Sequence, residues 1–185
     1  MKYICYLILD MLNELITSKT RLRLLVKFFI SQANTGYLNG LANEMGESTN
    51  SIRKELNHLH NAGYLNKKKL DNKVEYNVNT QHPLYSTLKK VVYKHLGLED
   101  VVEVVLERMG SVQEIIIIGD YALGIDSGNI EVVLVGKNLN FDYTSQLESK
   151  IEDLIGRGVT FYLSSKSPNS GNFLSLYKKN MNEVY

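Results

Sequence analysis

Two glycines, Gly46 and Gly63, bracket the stretch of sequence that most restricts how this chain can fold. Between them, Ile52, Leu56 and Leu59 recur at helical spacing, which places apolar side chains on one face of a helix. Glycine readily adopts the left-handed conformation that ends a helix, so helices are predicted to stop at both glycines. This stretch is therefore predicted to be a helix that packs on a core through one side and exposes the other.

The flanking residues predict the surroundings of this helix. Ser48 is a suitable N-cap for it, and residues 38–45 carry the apolar pattern of a shorter helix just before the turn. After Gly63, residues 64–70 form a lysine-rich arm, Asp71-Asn72 is an acceptable hairpin turn pair, and Val74, Tyr76 and Val78 alternate with polar residues. This pattern predicts a β-hairpin with a basic first arm. Helix, tight turn, helix and hairpin in this order predict a winged helix-turn-helix.

Residues 48–65 also resemble a known family. They are similar to the recognition helix and wing entry of ArsR-like bacterial repressors, which read roughly Ser-x-x-(Ser/Thr)-Val-Ser-x-His-Leu-x-x-Leu-x-x-Ala-Gly-Leu-Val. The matching residues are Ser48, Ser51, Ile52 in place of Val, Leu56, Leu59, Ala62, Gly63 and Leu65. The resemblance covers residues 18–80 and implies a winged helix-turn-helix transcriptional regulator whose partner is double-stranded DNA.

The side of the helix opposite the apolar stripe supplies candidate DNA contacts. It carries short hydrogen-bonding side chains and two cations, with Glu55 as its one acid, and the hairpin adds lysines. Helix N-termini enter the major groove, Asn and Arg suit base edges, and lysines suit phosphates. The predicted DNA-binding residues are Thr49, Asn50, Ser51, Arg53, Lys54, Asn57 and His58 on the helix and Lys67, Lys68, Lys69 and Lys73 on the hairpin. A winged helix that binds only protein is the alternative for this half.

Neither a metal site nor a cofactor is predicted. The helix at residues 38–45 lacks the thiolate pair that metal-sensing ArsR-like repressors use there, and Cys5 is the only cysteine. The four histidines are not spaced to share one helical face. A single cysteine fits a reducing cytoplasm, and no apolar run is long enough for a membrane span, so a cytoplasmic location without membrane attachment is predicted.

Charge divides the chain into two parts. Residues 1–97 carry 14 basic and 7 acidic side chains, a net charge of +7, whereas residues 98–185 carry 7 basic and 13 acidic ones, a net charge of −6. The formal charge of +1 for the whole chain is therefore a cancellation. Such asymmetry predicts a domain suited to a polyanion, residues 1–97, and a second domain, residues 98–185.

The remaining patterns complete an α+β prediction. Strands are predicted at 112–118, 130–136 and 159–163, and helices at 100–109 and up to Ile155. Three further helices are predicted: one from Leu7 to Ile16, which covers a core or forms a dimer seam, one that starts at Pro83, which dimerises the protein or leads to the second domain, and one over Asn172–Tyr185.

The strand, the turn from Gly119 to Gly124 and the next strand resemble the minimal nucleotidyltransferase fold. That family reads Gly-Ser-x-x-x-Gly followed by Asp-x-Asp. The resemblance implies that the serine and glycines cradle nucleotide phosphates and that the paired aspartates hold Mg²⁺ for phosphoryl transfer. The corresponding residues of this chain are Gly119, Asp120, Gly124, Asn129 and Glu131.

The departures from that pattern predict a degenerate motif without enzymatic activity. Asp120 replaces the serine, Asn129 and Glu131 replace the paired aspartates, and residues 159–163 contain no third carboxylate. Asn129 offers a neutral oxygen where a divalent cation prefers an anionic one. The sequence therefore predicts a homodimeric DNA-binding regulator whose second domain binds a protein or small-molecule effector. The alternative is a nucleotidyltransferase-type enzyme with an appended winged helix.

Overall fold

The computed structural model describes residues 15–179, which form an α+β protein. They divide into two compact units, residues 15–93 and 94–179. The sequence places the domain boundary after Gly97, slightly further along the chain. Apart from its last two residues, the helix predicted from Leu7 to Ile16 lies outside the described part.

The first unit combines helices with a small sheet. Its elements are α1 (Lys19–Phe29), β1 (Thr35–Tyr37), α2 (Leu38–Met45), α3 (Thr49–Asn61), β2 (Leu65–Leu70), β3 (Lys73–Val78) and α4 (Tyr85–Leu96), whose last turn contains the boundary between the units. The order and the bounds of α2, α3 and the hairpin agree closely with the elements predicted from the apolar spacing.

Local signals explain where these helices begin and end. The Ser18 hydroxyl accepts a hydrogen bond from the Arg21 amide at the start of α1, and Ser48 caps α3 in the same way. Gly46 has a φ of +62° and ends α2. The core between the helices includes fully buried Leu24, Phe28, Ile30, Leu41, Ile52 and Leu56.

The three strands of the first unit form an antiparallel sheet in the order β1-β3-β2. Leu70 pairs with Lys73 across a two-residue turn, in which Asp71 adopts a φ of +50°. Aspartate tolerates this left-handed conformation better than most residues, so Asp71-Asn72 is a workable turn pair. The hairpin predicted at this position is present.

The helix predicted to start at Pro83 is present, but it begins two residues later, at Tyr85. Pro83 itself lies in a turn. The Tyr85 amide donates to the His82 carbonyl, the Leu84 amide to the His82 ring, and the Leu84 carbonyl accepts the first helical bond, from Leu88. His82 therefore closes a turn in front of the helix, which delays its start past the proline.

The second unit is built around a four-stranded mixed sheet. Its elements are α5 (Leu98–Arg108), β4 (Ser111–Ile118), α6 (Gly119–Ala122), β5 (Asn129–Lys137), a short 3-10 helix (Phe141–Tyr143), α7 (Thr144–Ile155), β6 (Gly158–Ser164) and β7 (Leu174–Lys178). The sheet order is β6-β5-β4-β7, in which β5 and β6 are parallel and β4 is antiparallel to both neighbours.

The helix predicted over Asn172–Tyr185 is wrong within the described residues, because Leu174–Lys178 is the strand β7. Leu174 pairs with Ile117, and Tyr177 pairs with Ile115. Without β7, one edge of the apolar strand β4 would present unpaired amide and carbonyl groups. This demand for backbone partners outweighs the local apolar pattern of the tail.

The segment between β6 and β7 must cross the sheet, because these strands lie at opposite edges. In this segment, the Ser167 hydroxyl donates a hydrogen bond to the Glu114 carboxylate of β4. Within residues 15–179, no helix combines the length and the apolar character that crossing a membrane requires.

Candidate nucleic-acid interface and degenerate nucleotide motif

The α3 helix has two chemically different sides. Ile52, Leu56 and Leu59 are buried. The residues that point into solvent are Thr49, Asn50, Arg53, Lys54, Asn57 and His58. Because positions 49, 53 and 57 and positions 50 and 54 follow one another at helical spacing, most of these side chains form one continuous polar stripe. Along this stripe the Arg53 guanidinium donates to the Asn50 side-chain oxygen over 3.3 Å.

Ser51 differs from the other predicted contacts on this helix. It is half-buried, and its amide and hydroxyl both lie 3.1 Å from the hydroxyl oxygen of Ser48. Ser51 therefore takes part in the cap of α3.

Glu55, the one acid of α3, is buried instead of lying on the polar stripe. Its carboxylate accepts hydrogen bonds from Arg21 Nε over 2.7 Å and from the Ser18 hydroxyl over 2.9 Å. Burial alone would raise the pKa of Glu55, but these hydrogen bonds and the nearby charge of Arg21 outweigh it and lower the pKa below its ordinary value. The negative charge of α3 is thus turned inward and paired, which leaves its exposed stripe cationic.

His58 lies at the border between the stripe and this buried pair. Its side chain is 52% exposed, and its Nδ1 atom lies 3.4 Å from Arg21 Nη2 and 3.7 Å from the Glu55 carboxylate. His58 can therefore contact a ligand of the stripe, although one side of its ring is engaged with α1.

The four lysines of the hairpin are exposed, but they do not share one face. Neighbouring residues of a strand point to opposite sides, and residues paired across an antiparallel ladder point to the same side. Lys67 pairs with Tyr76 and Lys69 with Val74, whereas Lys68 pairs with Glu75 and Lys73 with Leu70. Two lysines therefore lie on each face of the hairpin.

Two long-range polar contacts that fix α2 against α1, one hydrogen bond and one ion pair, could not be read from the sequence. Arg23 donates to the Met45 carbonyl over 2.7 Å, and Lys27 pairs with Glu44 over 2.9 Å. These contacts join residues that are distant in the chain, and no local pattern marks them. They hold the end of α2 in place, and with it the turn that leads into α3.

In the second unit, Gly119 and Glu131 come into direct contact. Gly119 has a φ of +66°, and a Cβ at this position would overlap the Glu131 carboxylate. The Tyr162 hydroxyl donates to the same carboxylate over 3.2 Å. The carboxylate therefore lies against the backbone of the glycine turn and is already hydrogen-bonded.

The side chains around Glu131 do not fit the divalent cations that the nucleotidyltransferase resemblance implies. Asn129 is hydrogen-bonded to the Thr160 hydroxyl over 3.2 Å, so neutral groups stand next to Glu131 on both β5 and β6. Asp120 is exposed, and Gly124, just after the short helix α6, has a φ of +77°. In the described part of the chain, no three histidine, cysteine, aspartate or glutamate side chains lie close enough together to hold a metal ion.

The loop that joins the two parts of this motif is fixed by an ionic network that sequence reasoning missed. Arg157 donates to both carboxylate oxygens of Asp126, over 3.1 and 2.8 Å, and to the His95 carbonyl over 3.2 Å. The Tyr121 hydroxyl also donates to Asp126. Burial raises the pKa of Tyr121, and its bond to Asp126 adds to this effect. Asp126 and Arg157 therefore stabilise the loop through this network.

Comparisons of the chain with protein-family models, with curated proteins and with solved structures gave no match.

Proposed function

We propose that this chain is a cytoplasmic DNA-binding transcriptional regulator of the winged helix-turn-helix type, which binds double-stranded DNA as a homodimer. The observation that carries the proposal is the cationic polar stripe of α3, from which the acid Glu55 is absent because it is buried and paired with Arg21. Such a stripe can approach a polyanion without an opposing negative charge.

The order of the elements supports this proposal. A short turn, residues 46–48, joins α2 to α3, and the hairpin of β2 and β3 follows α3 directly. In helix-turn-helix proteins the second helix lies in the major groove with its N-terminal residues towards the base edges. In that arrangement α3 is the reading helix and the hairpin is the wing.

The chemistry of the stripe divides naturally between bases and phosphates. Asn50, Asn57 and Arg53 can form paired hydrogen bonds with base edges, whereas Thr49 and Lys54 suit the phosphate backbone. A homodimer would present two such helices to half-sites about one helical turn, ~34 Å, apart.

The test is the salt dependence of DNA affinity, measured by fluorescence anisotropy with a mixed-sequence pool of labelled duplexes. We expect the full chain to bind at low salt. In the variant Arg53→Gln/Lys54→Gln, the slope of log affinity against log salt should become shallower by about one to two units, and affinity should drop by about tenfold or more.

A variant with the same loss of charge in the second unit is the matched control. Lys137→Gln/Lys150→Gln changes two exposed lysines of residues 94–179 and should leave affinity within about threefold of the unchanged chain. Absence of DNA binding by the unchanged chain at low salt, or equal losses in both variants, would contradict the proposal. Sedimentation of the complex counts the chains bound to each duplex.

We infer further that residues 98–185 act as a regulatory or partner-binding domain for a protein or small-molecule effector, and that this domain has no nucleotidyltransferase activity. The support is the chemistry around Glu131, where Asn129, Thr160 and Tyr162 provide neutral oxygens and amides in place of carboxylates. Two divalent cations need more than one anionic ligand, because neutral oxygens compensate little of their charge.

Calorimetry with ATP and Mg²⁺ tests this inference. We expect no Mg²⁺-dependent heat of nucleotide binding from the full chain, and the same result from Glu131→Ala. Mg²⁺-dependent binding that disappears in Glu131→Ala would instead favour the enzyme.

A further inference from the structure

We propose that only one face of the hairpin contacts DNA phosphates. Lys67 and Lys69 on that face contact phosphates, whereas Lys68 and Lys73 on the other face do not. This inference rests on the proposed function, since it assigns the phosphate contacts of the same interface. It separates four exposed lysines that the sequence presents as one basic cluster.

The face that carries Lys67 and Lys69 is the inner face of the sheet, on which the helices pack. Lys67 is paired with Tyr76, which is 8% exposed, and the same face continues into the buried pair of Leu65 and Val78. Gly36 lies opposite Tyr76, and a Cβ on Gly36 would touch the Leu41 side chain of α2. The inner face therefore points to the side of the sheet where α2 lies.

Towards its tip, the inner face extends past the core into solvent. Leu65 and Val78 are buried at its base, whereas Lys67, Lys69 and Val74 are exposed. The tip thus presents two cations and one small apolar side chain on the helix side of the sheet, and no acidic residue of the two strands lies on this face. A duplex held against helices on that side meets these two cations.

The outer face has a different electrostatic character. Glu75 stands directly opposite Lys68 in the ladder, so a carboxylate accompanies this lysine. The Tyr37 hydroxyl donates to Glu75 over 2.8 Å, and the Lys73 ammonium lies 5.8 Å from the centre of the Tyr37 ring. Lys73 is therefore engaged in a cation–π contact, and the negative charge of Glu75 opposes phosphate on this face.

The two pairs of lysines allow an unusually close comparison. Both pairs lie on the same hairpin, both are exposed, and both lose two positive charges on change to glutamine. General attraction between protein and DNA changes equally in the two variants, so a difference between them reports which face touches phosphate.

The experiment measures the salt slope of DNA binding for the full chain and for two variants, with the same duplex pool. Each lost phosphate contact should change the slope by ~0.9, so we expect Lys67→Gln/Lys69→Gln to make the slope shallower by about two units for each bound chain. The same variant should weaken affinity by about tenfold or more. Lys68→Gln/Lys73→Gln should keep the slope within about half a unit of the unchanged chain. Lys67→Arg/Lys69→Arg, which keeps both charges, should retain the original slope.

Thermal unfolding and circular dichroism establish that each variant is folded before its slope is compared. Equal losses in the two glutamine variants, or a larger loss from Lys68→Gln/Lys73→Gln, would overturn the assignment of faces while leaving DNA binding in place. Absence of salt-dependent binding by the unchanged chain would refute the proposed function itself and the assignment with it.

Discussion

At the scale of single residues, the contact between Gly119 and Glu131 shows how one side chain can fill the space beside a glycine turn. The glycine has no side chain and a positive φ, and the Glu131 carboxylate fills the space where a Cβ would lie. Gly119 is therefore favoured by its backbone conformation, and a Cβ at this position would in addition displace the flexible end of the Glu131 side chain. The sequence pattern identified this glycine, but it could not show that the glutamate of the next strand leans on it.

These two effects can be separated by substitution. Gly119→Ala should cost about 2–3 kcal/mol of unfolding free energy, because the strain of a left-handed alanine is joined by displacement of the Glu131 carboxylate from its hydrogen bond to Tyr162. Gly156→Ala is the matched control, since Gly156 has a φ of +67° and open space around its Cα, and it should cost only about 1–2 kcal/mol. Chemical unfolding of the full-length variants gives both values.

The part of this cost that comes from displacing the Glu131 carboxylate should disappear when the Glu131 side chain is removed. In a Glu131→Ala background, the loss of unfolding free energy caused by Gly119→Ala should fall to the loss caused by Gly156→Ala. A double-mutant cycle of Gly119→Ala and Glu131→Ala measures this coupling directly. If the cost of Gly119→Ala stays the same with and without the glutamate, the described contact does not constrain the glycine.

At the scale of helices and strands, a charge pair with one buried partner adds to the apolar contacts that hold the elements of the first unit together. The pair of Arg21 and Glu55 links α1 to α3, so α3 is held to the core by a charged contact as well as by its apolar stripe. The Glu55 side chain is only 8% exposed, whereas the Arg21 side chain is 38% exposed, so solvent screens the pair from the arginine side. Loss of Arg21 would leave the buried Glu55 carboxylate without its charged partner.

The Arg21–Glu55 pair gives the first unit an expected pH dependence. The pKa of Glu55 is lower in the folded protein than its ordinary value of 4.5, so the carboxylate stabilises the fold above that pH and loses this effect as the pH falls through the lowered pKa. At pH 7, Glu55→Gln should lower the stability of this unit by about 2 kcal/mol. At more acidic pH the difference from the unchanged chain should shrink.

Hydrogen exchange followed by mass spectrometry measures this effect in peptides from α1 and α3. Glu103→Gln, on an exposed position of α5 in the other unit, serves as the control and should leave exchange in α1 and α3 unchanged at each pH. A stability difference between Glu55→Gln and the unchanged chain that is constant from pH 7 to below pH 4 would speak against the carboxylate as its source.

At the scale of the whole molecule, the elements with strong periodicity could be predicted from the sequence, and those that depend on distant partners could not. The apolar stripe and glycine boundaries of α3 and the alternation of the hairpin are local properties. The strand β7 depends instead on an open edge of β4 about sixty residues earlier in the chain, and its own residues carry an equally good helical pattern. Local turn chemistry at His82 likewise overrode the signal of Pro83.

The candidate interface was predictable to a similar extent. The exposed side of α3 follows from its apolar stripe, because a helix that buries one face must expose the other. The burial of Glu55, the capping role of Ser51 and the separation of the hairpin lysines depend on packing and strand register. These features decide which charges a ligand meets, and single-residue patterns do not contain them.

The pairing of β7 with β4 also has a consequence for the order in which the two units are completed during synthesis. All strand pairs of the first unit lie within residues 35–78, so that sheet is available soon after its residues leave the ribosome. The sheet of the second unit is complete only when residues 174–178 have been made and can reach back to residues 114–117. Until then β4 has one open apolar edge, which makes the second unit the part of a newly made chain that is most exposed to aggregation.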